Sequence, residues 1–163
     1  MPTLPTRHRV RLPRTVYSQL GTACSVTIAV RGRRRVFVDP RVANATVTVL
    51  REHAARTGTP VYGYCVMPDH VHLVVGASPA CDIVTFVGQF KNLAQRAAWG
   101  HGVAGAFWQT GFWDHVLQQD EQVDAVVRYV LHNPVRGGLV ASWRDYPFCG
   151  SLVFDLGDED FGW

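Results

Sequence analysis

Two histidines stand one residue apart in the stretch YGYCVMPDHVHLVV, residues 62–75. Side chains of a strand point alternately to its two faces, so His70 and His72 would share one face. Neutral imidazole is a common metal ligand, and two imidazoles on one strand can bind a single ion if a third group arrives from elsewhere. Taken alone, such a pair is more often two partly solvated strand histidines, so the rest of the chain has to decide.

A second candidate group lies in DEQVDAVVRYVLHNP, residues 120–134, which has the spacing of a helix. Its apolar residues recur every three or four positions and define a buried stripe of Val123, Val126, Val127, Val130 and Leu131. Tyr129 falls about 120° from the centre of this stripe, and His132 and Asn133 follow it at helical spacing. Without the histidine pair, an amphipathic tyrosine beside a C-cap asparagine would be the simpler interpretation.

The elements that must position these groups follow from hydrophobic periodicity and turn residues. Four stretches have the pattern of strands: residues 23–30, 61–67, 70–75 and 112–119. Two have the pattern of helices: about Pro40 to Arg56 and Ile83 to about Gly100. The helix around Tyr129 should begin with Asp120 as its N-cap, and it cannot continue past Pro134.

The order strand, helix, strand, strand, helix, strand predicts an α+β fold of the ferredoxin-like split βαβ type. We expect a four-stranded antiparallel sheet with two helices on one face, and a further C-terminal helix that carries Tyr129. If Val71 and Leu73 pack under the two helices, the histidines must face the open side of the sheet. One domain is expected over residues 1–163, with a basic N-terminal arm at 1–20 and a C-terminal tail at 141–163.

Charge is unevenly distributed, because residues 1–60 hold eleven arginines and two acidic residues although the net charge is only +3. Guanidinium groups match phosphate oxygens, so this pattern predicts a nucleic-acid surface, although a solvated arginine-rich face is an equal alternative. The candidate DNA-binding residues are Arg7, Arg9, Arg11, Arg14, Arg33, Arg34, Arg35, Lys91 and Arg96.

Composition argues against several other classes of protein. No apolar run approaches the roughly 18 residues of a membrane span, and the first 15 residues contain no apolar segment typical of a signal peptide. We therefore expect a cytoplasmic protein with no membrane partner. The four cysteines form no Cys-x-x-Cys pair, so they predict neither a zinc cluster nor a disulfide framework.

The motif MPDHVHLVV, followed later by FWQTGFWDHVLQQDEQVDAVVRYVLHNPVRGGLV and DYPF, closely resembles the single-tyrosine (IS200-like) transposases of the HUH endonuclease superfamily. The REP-associated tyrosine transposases are the nearest group. The resemblance implies that His70 and His72 form the HUH motif, that Tyr129 is the nucleophile and that Asn133 is the third metal ligand. His132 and His115 remain alternatives for that third ligand.

The resemblance also implies a function. A divalent ion, Mg²⁺ or Mn²⁺, would be held by two imidazoles and an amide oxygen, while Tyr129 attacks a phosphodiester to give a 5′-phosphotyrosine. Such an enzyme cleaves and rejoins single-stranded DNA at hairpin (REP-like) elements, as a monomer or a homodimer. Two alternatives stay open: a non-catalytic, domesticated hairpin-binding protein, and a metal phosphoesterase that uses water.

Overall fold

The computed structural model describes residues 12–157, so the predicted DNA contacts Arg7, Arg9 and Arg11 lie outside the described residues. The strands are β1 (Ala23–Ala29), β2 (Val61–Met67), β3 (His70–Gly76), β4 (Trp113–Val116) and β5 (Cys149–Gly150). The helices are α1 (Arg14–Ser18), α2 (Pro40–Thr57), α3 (Ile83–Gly100), α4 (Val123–Leu131) and α5 (Asn133–Arg136). None of the helices in this range is long and apolar enough to cross a membrane.

The strands form one antiparallel sheet in the order β4-β1-β3-β2-β5. The first four strands have the predicted ferredoxin-like arrangement, with the histidine strand β3 inside the sheet between β1 and β2. The sheet has five strands and not the predicted four, because the segment after α5 returns to the edge of β2. There the Val66 N–H donates to the Phe148 carbonyl at 2.8 Å, and the Tyr146 hydroxyl donates to the Val66 carbonyl at 2.7 Å.

Helices α2 and α3 cover one face of the sheet, as predicted, and enclose the main core. The β3 residues Val71, Leu73 and Val75 are fully buried beneath them. Asp39 accepts a hydrogen bond from the Arg41 N–H at the start of α2, which is the usual way a carboxylate caps a helix. Asp82 caps α3 in the same way by accepting from the Thr85 N–H. These two caps and the apolar period explain why both helices begin and end within about one residue of their predicted positions.

The opposite face of the sheet, which carries the histidines, is partly covered by α4 and by the C-terminal segment and is therefore less open than predicted. A second apolar cluster fills this side, formed by Cys65, Met67, Val74, Val127, Val130, Leu131 and Trp143. Its α4 members belong to the predicted buried stripe. Trp143 and Tyr146 pack in or against this cluster, so the described part of the predicted C-terminal tail, residues 141–157, lies against the domain.

The start of α4 differs from the prediction. Gln122, and not Asp120, occupies the N-cap position, and its side chain makes no capping bond. The neighbouring Glu121 carboxylate instead accepts from the Gln118 N–H at 2.6 Å and closes the turn before the helix. At the other end, Pro134 does terminate α4, but it also fits the first turn of a new short helix, α5, where a missing N–H costs nothing.

Part of the predicted N-terminal arm is folded against the domain. Tyr17 in α1 is fully buried, and its hydroxyl donates to Asp114. Arg14 binds the Asp82 carboxylate at 3.1 Å and the Thr85 hydroxyl at 2.7 Å, beside the N-terminus of α3. Arg14, which we predicted to contact DNA, therefore ties α1 to α3.

The close approach of α4 to the sheet generates a stability prediction at Gly63 in β2. A Cβ at Gly63 would stand 3.0 Å from a methyl carbon of Val127. Gly63→Ala should therefore lower the free energy of unfolding by about 1–3 kcal/mol, measured by urea denaturation. Together with Val127→Ala, its cost should be less than additive, because the two residues touch.

Gly88→Ala is the matched control, because Gly88 lies in α3 and a Cβ there would meet nothing within 4 Å. Alanine is the better helix former, so this variant should be more stable by about 0.5–1 kcal/mol. A Gly63→Ala variant as stable as the wild type would contradict the tight contact between α4 and β2.

Candidate active site on the sheet face beneath helix α4

Strand register places the histidines on one face of the sheet. His72 stands opposite Thr27 of β1, and Thr27 stands opposite Trp113 of β4. His115 stands opposite Ser25, two residues along the same face. Because directly paired residues of antiparallel strands project to the same side, all of these side chains share the face on which α4 packs.

The two imidazoles of β3 converge through their Nε2 atoms, which lie 2.9 Å apart. Each ring is held by its other nitrogen: His70 Nδ1 lies 2.6 Å from Asp69 Oδ1, and His72 Nδ1 lies 3.0 Å from Thr27 Oγ1. Since a carboxylate is an acceptor, His70 Nδ1 carries the proton, and its Nε2 presents a lone pair towards His72. The pair is therefore held in the orientation that metal-binding histidines require.

Burial keeps both imidazoles neutral. It lowers the pKa of His72 to about 3, and the positive charge of Arg136 acts in the same direction. Burial also lowers the pKa of His70, although Asp69 opposes this shift. Neutral imidazole is the form that binds metal ions. The second oxygen of Asp69 pairs with Arg33 Nε at 3.0 Å, so its charge is partly balanced.

The distance between the Nε2 atoms tests whether these residues fit a metal ion. In an octahedral site with bonds of about 2.1 Å, adjacent ligands stand about 3.0 Å apart. The observed 2.9 Å matches that spacing. It is also a hydrogen-bond distance, so a neutral His72 that carries its proton on Nε2 donates it to His70 Nε2, and a bound cation would take the place of this proton. Within residues 12–157, no three His, Cys, Asp or Glu side chains are grouped so as to hold an ion. Neither His115 nor His132 is therefore placed beside His70 and His72 as a third ligand.

The two alternative ligands have partners of their own. His115 Nε2 lies 2.9 Å from one Glu121 oxygen and 3.0 Å from the other. Its carboxylate partner is thus Glu121 and not the neighbouring Asp114, because Asp114 projects to the other face and accepts from the Tyr17 hydroxyl. His132 Nδ1 donates to the Arg128 carbonyl at 2.9 Å, and its ring packs against Trp143.

Asn133 has a fixed amide orientation that follows from the proline after it. Pro134 has no N–H to give to the Val130 carbonyl, and Asn133 Nδ2 donates to that carbonyl instead, at 3.0 Å. The amide oxygen Oδ1 is thereby turned the other way, where it accepts from Arg136 Nη2 at 2.9 Å. An oriented amide oxygen is a suitable ligand for a hard divalent cation.

Tyr129 lies on the outer side of α4 with 62% of its surface exposed, which confirms that it is not a core residue. It borders a cleft of about 420 Å³, which is also lined by Ser25, His115, Glu121, Gln122, Ala125 and Val126. No side chain among residues 12–157 hydrogen-bonds the Tyr129 hydroxyl, including those of His70 and His72. The hydroxyl is therefore accessible to a substrate.

Three residues that hold this site were missed in the sequence analysis. Asp69, next to His70 in the chain, was assigned no role. Thr27 meets His72 through strand register, which no sequence motif records. Arg136 contacts Tyr129 and Asn133, but its helical spacing from Tyr129 matters only because the chain becomes helical again after Pro134.

The other predicted DNA-binding residues within the described range fall into three groups. Some hold loops of the fold: Arg34 donates to the Ala104 and Ala106 carbonyls, and Lys91 donates to those of Gln109 and Gly111. Arg33 instead forms an ion pair with Asp69, whose other oxygen bonds His70. Arg35 and Arg96 are exposed.

The chain is similar to several known proteins. The family described as "Transposase IS200 like" matches residues 21–133. A Haemophilus influenzae protein named as a candidate REP-associated tyrosine transposase is 25% identical over 112 residues, which are 60% of this chain and 64% of that protein. The REP-associated tyrosine transposase of Escherichia coli K12 is 23% identical over 125 residues, 75% of this chain and 72% of that protein.

A solved structure described as a REP-associated tyrosine transposase bound to a REP hairpin has a similar fold. Its TM-score is 0.65 at 20% sequence identity, covering 82% of this chain and 78% of that one. The chain spans just under two thirds of the Haemophilus relative, and the family match covers more than half of the chain. The chain belongs to the IS200-like transposase family.

Proposed function

We propose that this protein is a metal-dependent tyrosine transposase that cleaves and rejoins single-stranded DNA at hairpin elements. The observation that carries the proposal is the pair of partly buried, neutral imidazoles whose Nε2 atoms lie 2.9 Å apart, with both Nδ1 atoms engaged. An exposed tyrosine without a hydroxyl partner lies on the helix that covers the same sheet face. The names of the E. coli relative and of the hairpin-bound structure support REP-like hairpins as the substrate.

The metal ion of this proposal, Mg²⁺ or Mn²⁺, would be held by His70, His72 and the amide oxygen of Asn133. When bound, it would supply positive charge next to the scissile phosphate. The chain's own contribution is orientation: Asp69 and Thr27 fix the two rings, and Arg33 balances the charge of Asp69. Contacts of this kind typically change metal affinity 10- to 100-fold when they are removed.

The covalent step uses the exposed hydroxyl of Tyr129. Its oxygen attacks phosphorus, so that an O–P bond forms and the bond from phosphorus to the 3′ oxygen breaks. The phenolic proton is balanced by protonation of the 3′ oxygen, and the products are a 5′-phosphotyrosine and a free 3′-OH. Because the ester bond is exchanged and not hydrolysed, attack by a 3′-OH on the phosphotyrosine rejoins the strand.

Single-stranded DNA fits the site better than duplex. Tyr129 borders a cleft, and the two histidines are only partly exposed on the sheet face, so a strand must be free of its complement to reach both. Arg33 lies at the histidine end of the sheet, where it is suited to a phosphate of the bound strand. The hairpin stem would be gripped elsewhere on the protein, for which the arginines at positions 7, 9 and 11 are candidates.

Manganese binding tests the proposed ligands without DNA. Isothermal titration calorimetry should give one Mn²⁺ site in the wild type and none in His70→Ala or His72→Ala, since each change removes a ligand. Asn133→Ala should weaken binding at least tenfold. His115→Ala and His132→Ala are the matched controls and should bind like the wild type, because each ring already has another partner.

A result in which His115→Ala abolishes manganese binding while Asn133→Ala leaves it unchanged would contradict the proposed ligand set. Manganese-soaked crystals provide an independent check. Anomalous density is expected within about 2.1–2.4 Å of both Nε2 atoms.

Covalent trapping tests the nucleophile. Incubation with labelled hairpin DNA carrying a single-stranded flank, plus Mn²⁺, should give an adduct that survives SDS, because a phosphotyrosine ester is covalent. Tyr129→Phe should abolish both adduct and cleavage while hairpin affinity changes less than about threefold, since only one hydroxyl is lost. Tyr62→Phe, which alters a partly buried tyrosine packed near Phe154, is the matched control and should form the adduct normally.

The same gel separates the alternatives. Cleavage that persists in Tyr129→Phe without an adduct would establish a water-dependent phosphoesterase. Tight hairpin binding with no cleavage by the wild type would establish a non-catalytic binding protein. An adduct in Tyr129→Phe would point to another tyrosine, although Tyr64 is buried and the Tyr146 hydroxyl is bonded to the Val66 carbonyl.

A further inference from the structure

Arg136 contacts both Tyr129 and Asn133 but takes no part in the reaction proposed above. Its Nη2 atom donates to the backbone carbonyl of Tyr129 at 2.7 Å and to Asn133 Oδ1 at 2.9 Å. Its guanidinium carbon lies 3.8 Å from the centre of the Tyr129 ring. A single side chain therefore stacks on the ring of the proposed nucleophile and bonds the oxygen of the proposed third ligand.

The break between α4 and α5 creates these contacts. Residues 129 and 136 are about two helical turns apart, so they share a helix face once the chain resumes helical geometry after Pro134. The Tyr129 carbonyl lies in the last turn of α4, where carbonyls lack their usual partners, and Arg136 supplies one.

The backbone next to Arg136 is held in place by the close packing of Gly137. A Cβ at Gly137 would stand 3.1 Å from the terminal methyl of Met67, so the end of α5 lies tightly against β2. Met67 in turn pairs directly with His70 in the sheet. The backbone beside Arg136 is thus fixed relative to the strand that carries the histidines, and the charge of Arg136 reaches His72.

We infer that Arg136 is a positioning residue for the nucleophile, an inference that rests on the proposed function. Its guanidinium plane holds the ring of Tyr129 by stacking, and its Nη2 keeps Asn133 Oδ1 in the orientation set by Pro134. Tyr129 has no partner for its hydroxyl among the described residues, so the stacking contact limits the motion of an otherwise exposed ring.

Arginine can fill this role and lysine cannot. A planar guanidinium can stack on an aromatic ring while its edge donates two hydrogen bonds, whereas a lysine ammonium has no plane to stack. If Arg136 supplied charge alone, Arg136→Lys would behave like the wild type. If it positions Tyr129, Arg136→Lys and Arg136→Gln should be impaired to a similar degree.

Fluorine NMR tests the positioning directly, with neither metal nor DNA present. The protein is labelled with 3-fluorotyrosine, and the Tyr129 signal among the five tyrosines is identified by its absence in Tyr129→Phe. That signal should move towards the value of the free amino acid in Arg136→Gln and Arg136→Lys. Arg128→Gln is the matched control and should leave it in place, because Arg128 pairs with Asp124. The other four signals report whether the fold is intact.

Single-turnover cleavage of hairpin DNA provides the second readout. Both Arg136 variants should cleave about 100-fold more slowly, the size of effect that a displaced reacting group produces, while hairpin affinity changes less than about threefold. An unmoved Tyr129 signal in Arg136→Gln would overturn the inference, as would a moved signal with cleavage at the wild-type rate. A wild type that never cleaves would overturn the proposed function, and the NMR result alone would then decide whether Arg136 holds the ring.

Discussion

The fixed convergence of two imidazoles is the constraint on which the rest of this structure depends. His70 and His72 lie on an interior strand that is hydrogen-bonded on both sides, so their backbone positions are set by β1 and β2. Asp69, in the turn, and Thr27, on the neighbouring strand, then fix the two rings through their Nδ1 atoms. The rings are partly buried and neutral, and they present their remaining nitrogens to a common point, which a fully solvated pair of strand histidines would have no reason to do.

Helix α4 has to lie close to this point without filling it. Glycine at position 63 lets Val127 rest directly on β2, and this brings the helix down onto the histidine face. The stripe of valines and Leu131 faces the sheet, so Tyr129 is left at the surface of the helix. Pro134 then breaks the hydrogen-bond pattern, and the side chains of Asn133 and Arg136 bond the carbonyls that are left over. Packing and helix termination together determine where the polar groups stand.

The sequence predicts the long elements well, for physical reasons. Helices α2 and α3 have a clear apolar period and aspartate caps, and both ends are found within about one residue. Strand β5 has two residues and thus no period to detect; only its long-range pairing with β2 defines it. The same limit explains the error at Asp120, since its neighbour Glu121 bonds the turn. It also hides the partner of His115, which is Glu121 and not the adjacent Asp114.

In the candidate site too, some features can be read from local sequence patterns and others depend on long-range contacts. The spacing of His70 and His72 and the off-stripe position of Tyr129 can be read from the sequence, because strand and helix periods are local properties. The contacts of Thr27 and Arg33 depend on which strands and turns become neighbours, and those of Arg136 on the helix resuming after Pro134. Local patterns thus identify the groups that could do chemistry, whereas their orientation depends on the assembled fold.

Mapping the site of DNA attachment by mass spectrometry tests the central claim most directly. Trypsin cuts after Arg128 and Arg136, so residues 129–136 form one peptide, YVLHNPVR, with a single tyrosine. After reaction of the wild type with hairpin DNA and Mn²⁺, followed by nuclease trimming, this peptide should carry the mass of a 5′-linked nucleotide. Nucleotide mass on a peptide containing another tyrosine, or cleaved DNA with no modified peptide, would contradict the assignment of Tyr129 as the nucleophile.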